Sequence, residues 1–111
     1  MIDIHTHILP EIDDGSKSLE NSIEQVKFMA KNGVTDIVCT PHFIRNYWHN
    51  TAEIISEKFK QLQKAVKDEN IKLHQGCEVY LDENSLQTIQ NQKLNIGNTN
   101  YVLVETMMTE F

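Results

Sequence analysis

The spacing of apolar residues changes along the chain, and each change marks an expected element. Residues 2–5 alternate with a period of two, which is typical of a strand, whereas residues 18–32 place apolar side chains at helical spacing. Ser18 suits the N-cap of that helix, and Gly33 suits the position after its end. The same criteria predict strands at 2–5, 35–40, 71–79 and 101–105, with helices at 18–32, 51–69 and 82–92.

Strands and helices that alternate in this order predict an α/β fold. The helix expected at 51–69 carries its apolar residues as one stripe, formed by Ile55, Phe59, Leu62 and Val66. Strands separated by such helices pair in parallel through right-handed crossovers, in an open layered sheet or a closed barrel. Because four strands cannot close a barrel, we expect residues 1–111 to form the front half (βαβαβαβ) of a larger domain.

The composition narrows the class of protein. Ten Lys and Arg stand against 16 Asp and Glu, for a net charge of −6, and such an acidic balance argues against a nucleic-acid partner. No apolar run is long enough for a membrane helix, and Met1 leads directly into a strand-like segment. We therefore expect a cytoplasmic protein without membrane insertion. Cys39 and Cys77 are too few for a disulfide framework.

Two histidines lie at the end of the first expected strand. Because side chains alternate along a strand, His5 and His7 share one face, opposite Ile2 and Ile4. Two imidazoles then converge on one point. A pair of solvated or capping histidines has the same pattern, so this pair alone does not decide between a metal site and ordinary surface.

The other strand ends favour a metal site. His42 follows the second expected strand, Glu78 lies near the end of the third and Glu105 closes the fourth, while Asp13 and Asp14 lie in the first loop. In parallel α/β folds the carboxyl edge of the sheet binds ligands and metals. Imidazoles and carboxylates without thiolates suit Mn, Fe or Zn. We expect a multinuclear site in which Asp13 supports a ligand, unless Asp13 rather than Asp14 is the ligand.

A competing interpretation uses Cys39 and Arg45, whose Cys-x5-Arg spacing is that of thiol-based tyrosine phosphatases. Such a loop holds phosphate with backbone N–H groups and usually contains glycines. Here Pro41 removes one N–H, the segment has no glycine, and Cys39 falls within an expected buried strand. A thiol mechanism is therefore disfavoured. Arg45 stays a candidate catalytic residue that reaches the substrate phosphate from the rim, or else a loop arginine facing solvent.

Four motifs of the chain resemble one family of enzymes. The opening MIDIHTHILPEIDDG, TPH at 40–42, GCE at 76–78 and VLVE ending at Glu105 are similar to the PHP (polymerase and histidinol phosphatase) metallohydrolases. The HILP and DDG segments are most similar to bacterial manganese-dependent protein-tyrosine phosphatases encoded beside capsule and exopolysaccharide genes. The resemblance implies that residues 1–111 are the N-terminal part of a distorted, TIM-like (β/α)7 barrel.

The resemblance also implies a set of metal ligands for Mn²⁺, with Fe or Zn as alternatives, and up to three metals in the complete domain. The first metal would take His5, His7 and Glu78, the second Glu78 and Glu105, and the third Asp14 and His42. The family's remaining ligands, a later His and an Asp-x-His pair, would follow Phe111, as would its substrate-binding arginines.

The implied activity is hydrolysis of phosphotyrosine on a tyrosine kinase of capsule or exopolysaccharide synthesis. Metals bridged by Glu78 would activate a hydroxide that attacks phosphorus in line with the leaving phenolate. Two alternatives stay open: a histidinol-phosphatase or amidohydrolase-like relative, and a truncated, catalytically incomplete chain that acts only through association. We expect the 111 residues alone to be poorly active and to form a homo-oligomer through the fourth strand.

Overall fold

The computed structural model describes residues 1–106; residues 107–111, which belong to the expected domain, lie outside the described residues. The elements follow in the order β1 (Ile2–Thr6), α1 (Leu19–Lys31), β2 (Asp36–Cys39), β3 (His42–Phe43), α2 (Ala52–Ala65), β4 (Lys72–Gln75), β5 (Glu78–Tyr80), α3 (Ser85–Gln92) and β6 (Leu103–Glu105). None of these helices is long and apolar enough to cross a membrane.

The strands form two small parallel sheets, in the orders β1-β2-β4 and β3-β5-β6. The expected alternation of helices with parallel strands is therefore confirmed. The strand predicted at 35–40 is confirmed as β2, but a second short strand, β3, follows it after Pro41 and was not predicted. The prediction of a single strand at 71–79 was wrong, since that segment is broken into β4 and β5.

The two breaks have local causes and lie side by side. Pro41, which has no N–H to donate, interrupts the first strand after Cys39. Gly76 interrupts the second, where an added Cβ would lie 3.2 Å from the Val38 side chain. Backbone hydrogen bonds from Gly76 N to Cys39 O and from Glu78 N to Pro41 O, both 2.9 Å long, carry the pairing across the breaks. The chain thus passes from one sheet to the other with neighbouring strands still adjacent.

The helices begin at or near the predicted caps. Ser18 accepts a hydrogen bond from Asn21 N at the start of α1, and Thr51 accepts one from Ile54 N at the start of α2. Gly33 has φ +90°, the left-handed conformation expected just after α1. α2 ends at Ala65 rather than near residue 69, and α3 begins at Ser85 rather than at residue 82.

The hydrophobic core fills the space between the helices and one face of the sheets. All four residues of the predicted stripe on α2 are buried, and they pack with apolar side chains from α1, β2 and β5. Cys39 and Cys77 are fully buried members of the same core and form no disulfide. Both cysteines are therefore small core residues.

β1 contains an irregularity between Asp3 and Thr6, the span that includes His5 and ends just before His7. Asp3 pairs with Ile37 and Thr6 pairs with Cys39, so three steps along β1 match two along β2. An extra residue of this kind changes which side chains face each side of a sheet. Thr6 is buried, where its Oγ1 donates to Val38 O at 2.8 Å. His5 and His7, the residues on either side of Thr6, consequently project to the opposite face.

Candidate metal centre

Glu78 lies at the middle of the candidate site. Its side chain is only 8% exposed, and its Oε1 lies 3.0 Å from His5 Nε2 and 2.9 Å from His7 Nε2. The same oxygen lies 3.5 Å from Nδ1 of His42, the residue with which Glu78 pairs across β3 and β5. One carboxylate oxygen therefore faces three imidazoles, which is suited to a ligand shared between two metals.

One atom of His42 and one atom of Glu105 indicate whether the site suits a metal. Nδ1 of His42 and Oε2 of Glu105 lie 3.4 Å apart. Both atoms are buried and have no hydrogen-bond partner within residues 1–106. A buried polar atom left unpaired costs about 1–3 kcal/mol. Because imidazole nitrogen and carboxylate oxygen both donate lone pairs to a cation, a metal bound between them would remove this cost.

Asp14 completes the set of predicted ligands. It extends from the first loop with a side chain that is 70% exposed, and its Oδ1 lies 3.6 Å from His42 Nε2. The donors fall into three groups, and within each group the donor atoms lie within 4.8 Å of one another. The groups are His5, His7 and Glu78; His7, Asp14 and His42; and His42, Glu78 and Glu105. The structure thus brings together all six residues predicted as metal ligands.

Asp13 contacts two of the candidate ligands, His7 and His42, and positions both. Its Oδ2 lies 3.1 Å from His7 Nδ1 and accepts from His42 N at 3.0 Å, while its Oδ1 accepts from Gly15 N at 2.9 Å. Burial by itself raises the pKa of Asp13, but these hydrogen bonds outweigh it, so the pKa lies below its ordinary value. Asp13 is absent from the three donor groups. The geometry therefore favours Asp14 as the ligand and Asp13 as the positioning residue.

The hydrogen bond to the Asp13 carboxylate sets the orientation of His7. It raises the pKa of His7 above the ordinary value, against the effect of burial. With Nδ1 directed at Asp13, Nε2 of His7 is directed at Glu78. The turn that carries Asp13 requires Gly15, because a Cβ there would lie 2.2 Å from His7 O. The Asp-Asp-Gly sequence was the only signal for this arrangement.

The structure does not support the competing thiol interpretation, which depends on Cys39 and Arg45. Cys39 is fully buried in the core, and burial raises the pKa of its thiol to about 12. Arg45 is directed elsewhere, with Nε 3.3 Å from Asp82 Oδ2 and Nη2 3.4 Å from Thr88 Oγ1. Cys39 and Arg45 therefore form no phosphate cradle. That Arg45 reaches the substrate phosphate stays a prediction.

The two remaining histidines of the chain lie outside the three donor groups. His74 Nε2 lies 2.8 Å from Asp36 Oδ2, across β2 and β4. His49 packs against the ring of Phe43, with 5.1 Å between the ring centroids. Neither side chain is available as a further ligand without leaving these partners.

Comparisons with known proteins decide the family. Residues 1–111 match the family described as capsular polysaccharide synthesis, CpsB/CapC. The chain belongs to the CpsB/CapC family.

Individual members of the CpsB/CapC family agree with this assignment. CapC of Staphylococcus aureus is 34% identical over 95% of this chain and 42% of its own length. The tyrosine-protein phosphatase YwqE of Bacillus subtilis is 35% identical over 95% of this chain and 42% of its own length. A structure from work on YwqE and on CpsB of Streptococcus pneumoniae, described as metal-dependent tyrosine phosphatases, superposes with a TM-score of 0.87.

That structural match is 31% identical to this chain and covers 96% of it, against 44% of the matched chain. It confirms the expected fold class, the front part of a PHP-type α/β domain. This member of the CpsB/CapC family spans less than half the length of the relatives that it matches.

Proposed function

We propose that this chain forms the N-terminal part of a metal-dependent protein-tyrosine phosphatase. One observation carries the proposal: the three donor groups share His7, His42 and Glu78, so neighbouring metals would have common ligands. The unpaired buried atoms of His42 and Glu105 support the same site. The names of YwqE and CpsB, both tyrosine-protein phosphatases, favour this activity over a histidinol-phosphatase relative.

The ligands suggest both the metal and the division of roles. Nitrogen and oxygen donors without thiolate suit Mn²⁺, which we propose as the metal, with Fe or Zn as alternatives. A bound divalent metal supplies positive charge and lowers the pKa of water. His5, His7 and Glu78 would hold one cation, and His42, Glu78 and Glu105 would hold another. Glu78 would be common to both, which makes it the candidate catalytic residue. In that arrangement the Asp13 carboxylate would accept a hydrogen bond from His7 Nδ1–H, so that Nε2 would offer its lone pair to the cation.

The proposed substrate is a phosphotyrosine protein, in particular a tyrosine kinase of capsule or exopolysaccharide synthesis. The description of the family, which names capsular polysaccharide synthesis, supports this choice. Such a kinase would present its phosphotyrosine in the cytoplasm, where we propose that this protein acts.

The proposal is tested on the full-length protein that contains these residues. We expect hydrolysis of p-nitrophenyl phosphate and of phosphotyrosine peptides that requires Mn²⁺ and stops on addition of EDTA. Iodoacetamide should leave the rate unchanged, because burial raises the pKa of Cys39 and Cys77 to about 12. Loss of activity in Cys39→Ser at full metal occupancy would contradict the metal mechanism.

The expected homo-oligomer stays a prediction, and exposed strand edges support it. Within residues 1–106, β1 and β6 each pair on one side only. Ile2 and Ile4 on β1 are 62% and 60% exposed, and Val104 on β6 is 45% exposed. Such edges favour pairing with another chain.

We expect the 111-residue chain to associate with a second copy as its concentration rises, and Val104→Lys to shift it toward monomer. Light scattering after size-exclusion chromatography measures both effects. We also expect this chain alone to bind Mn²⁺ weakly and to hydrolyse little substrate. A monomer at every concentration would contradict the association.

A further inference from the structure

A cavity of about 450 Å³ lies between the segment that follows β3 and helix α3 with the loop that precedes it. The segment follows the carboxyl end of β3 and the loop follows the carboxyl end of β5. The neighbouring strand β6 ends at the same level with the candidate ligand Glu105, which pairs with Tyr80 at the end of β5. In barrel enzymes, these loops shape the substrate site. The position of the cavity is therefore that of a substrate-contacting surface.

The lining of this cavity is unusual for so acidic a chain. The sequence contains 16 Asp and Glu against 10 Lys and Arg, yet none of the carboxylates within residues 1–106 lines the cavity. Its polar groups are five carboxamides, the hydroxyl of Thr88, the imidazole of His49 and the guanidinium of Arg45. Every one of these side chains offers a hydrogen-bond donor, and Arg45 adds a permanent positive charge. The lining therefore suits an anionic group.

Arg45 is held in place and still has donors to spare. Nε donates to Asp82 and Nη2 donates to Thr88, at 3.3 and 3.4 Å. The guanidinium carries more N–H groups than these two. Its side chain is 40% exposed, so the ion pair with Asp82 is a weak, solvated one. A second carboxylate can bind the remaining N–H groups while Asp82 stays in contact.

A second cavity, of about 360 Å³, adjoins the first, with which it shares Arg45 and Asn84, and it extends to Tyr80. Tyr80 pairs directly with the candidate ligand Glu105 across β5 and β6. Asp82 and Glu83 also line the second cavity, so an acidic group would be repelled there. The two cavities lie side by side along one rim, as the side chains of an extended peptide would, and the first is the one suited to an acidic side chain.

We propose that the first cavity binds an acidic side chain of the peptide that flanks the phosphotyrosine, with Arg45 as the residue that recognises its carboxylate. This inference rests on the proposed function and adds a preference among peptide substrates. A basic side chain would be repelled by Arg45, and no carboxylate of the described part of the chain lines this cavity to attract it. An apolar side chain would leave the carboxamides unpaired.

The experiment measures binding rather than turnover. Full-length protein loaded with Mn²⁺ is titrated with peptides in which phosphonomethyl-phenylalanine replaces phosphotyrosine. Asp is moved through the four positions on either side, and each peptide is compared with its Asn counterpart. At one position or two adjacent ones, we expect the Asp peptide to bind about five-fold tighter, the size of a partly exposed ion pair.

Two substitutions at Arg45 and one matched control test the assignment. Arg45→Gln should remove the preference for Asp, and Arg45→Lys should retain part of it. Lys27→Gln, on the exposed surface of α1, makes the same change in charge away from the cavity and should retain the whole preference. Thermal unfolding verifies that all three variants are folded.

The outcomes separate this inference from the proposed function. Equal binding of every Asp and Asn pair, or a preference that persists in Arg45→Gln, would overturn the inference. If that occurs while the native protein hydrolyses p-nitrophenyl phosphate, the proposed function still stands. If the protein binds no peptide and hydrolyses nothing, both are overturned.

Discussion

Glu78→Ala is expected to remove at least one metal equivalent and to lower the phosphatase activity of the full-length protein at least about 100-fold. The reason is that one oxygen of Glu78 lies within 3.5 Å of three imidazole nitrogens. Without it, two of the three donor groups lose their common carboxylate. His5→Ala and His7→Ala should also lose metal. Metal analysis of the purified variants, beside hydrolysis of p-nitrophenyl phosphate, measures both effects.

Two further substitutions make this result specific. His74→Ala removes an imidazole that contacts Asp36 on neighbouring strands, outside every donor group, and should keep metal and activity. Glu78→Gln keeps the shape of the side chain and removes its charge, so it should lose metal without leaving a cavity. Equal metal loss in His74→Ala and Glu78→Ala would show that the site is wrongly assigned.

The starts of the helices could be predicted because their signals are local. Ser18 and Thr51 bind backbone N–H groups within their own first turn, so the sequence contains both partners of each bond. The end of α2 had no such signal. The chain leaves the helix at Val66, which is buried in the core with φ −110°, and tertiary packing of this kind is not visible in a pattern of apolar residues.

The breaks between β2 and β3 and between β4 and β5 show the same limit of a sequence pattern. Pro41 and Gly76 are recognisable as residues that weaken strands. That they interrupt adjacent strands at the same level, so that His42 and Glu78 become direct partners, depends on the register between segments more than thirty residues apart in the chain. A sequence pattern contains the two signals but not their alignment.

That the six candidate ligands come together could be predicted for a topological reason. Parallel strands place their carboxyl ends at one edge, so a His or carboxylate at or just after each end converges with the others. The contacts by which Asp13 positions the candidate ligands could not be predicted in the same way. Asp13 contacts His7 in its own loop, but also the backbone of His42, and no spacing in the sequence indicates that second contact.

Asp13→Asn is expected to weaken metal binding about 10–100-fold, although Asp13 belongs to none of the donor groups. The substitution removes the charge toward which His7 Nδ1 is directed, so His7 Nε2 loses its fixed orientation toward Glu78. Because the carboxylate also accepts hydrogen bonds from His42 N and Gly15 N in a buried position, we expect about 1–3 kcal/mol less stability.

Asp14→Asn is the matched comparison, since it makes the same change at the next residue. The Asp14 side chain is 70% exposed and its Oδ1 lies 3.6 Å from His42 Nε2, so its loss should weaken one metal site and leave the unfolding temperature unchanged. Metal titration and thermal unfolding of the two variants separate the roles, because a positioning residue affects both measurements and an exposed ligand affects one. If Asp13→Asn bound metal with native affinity while Asp14→Asn lost stability, the two roles would have to be exchanged.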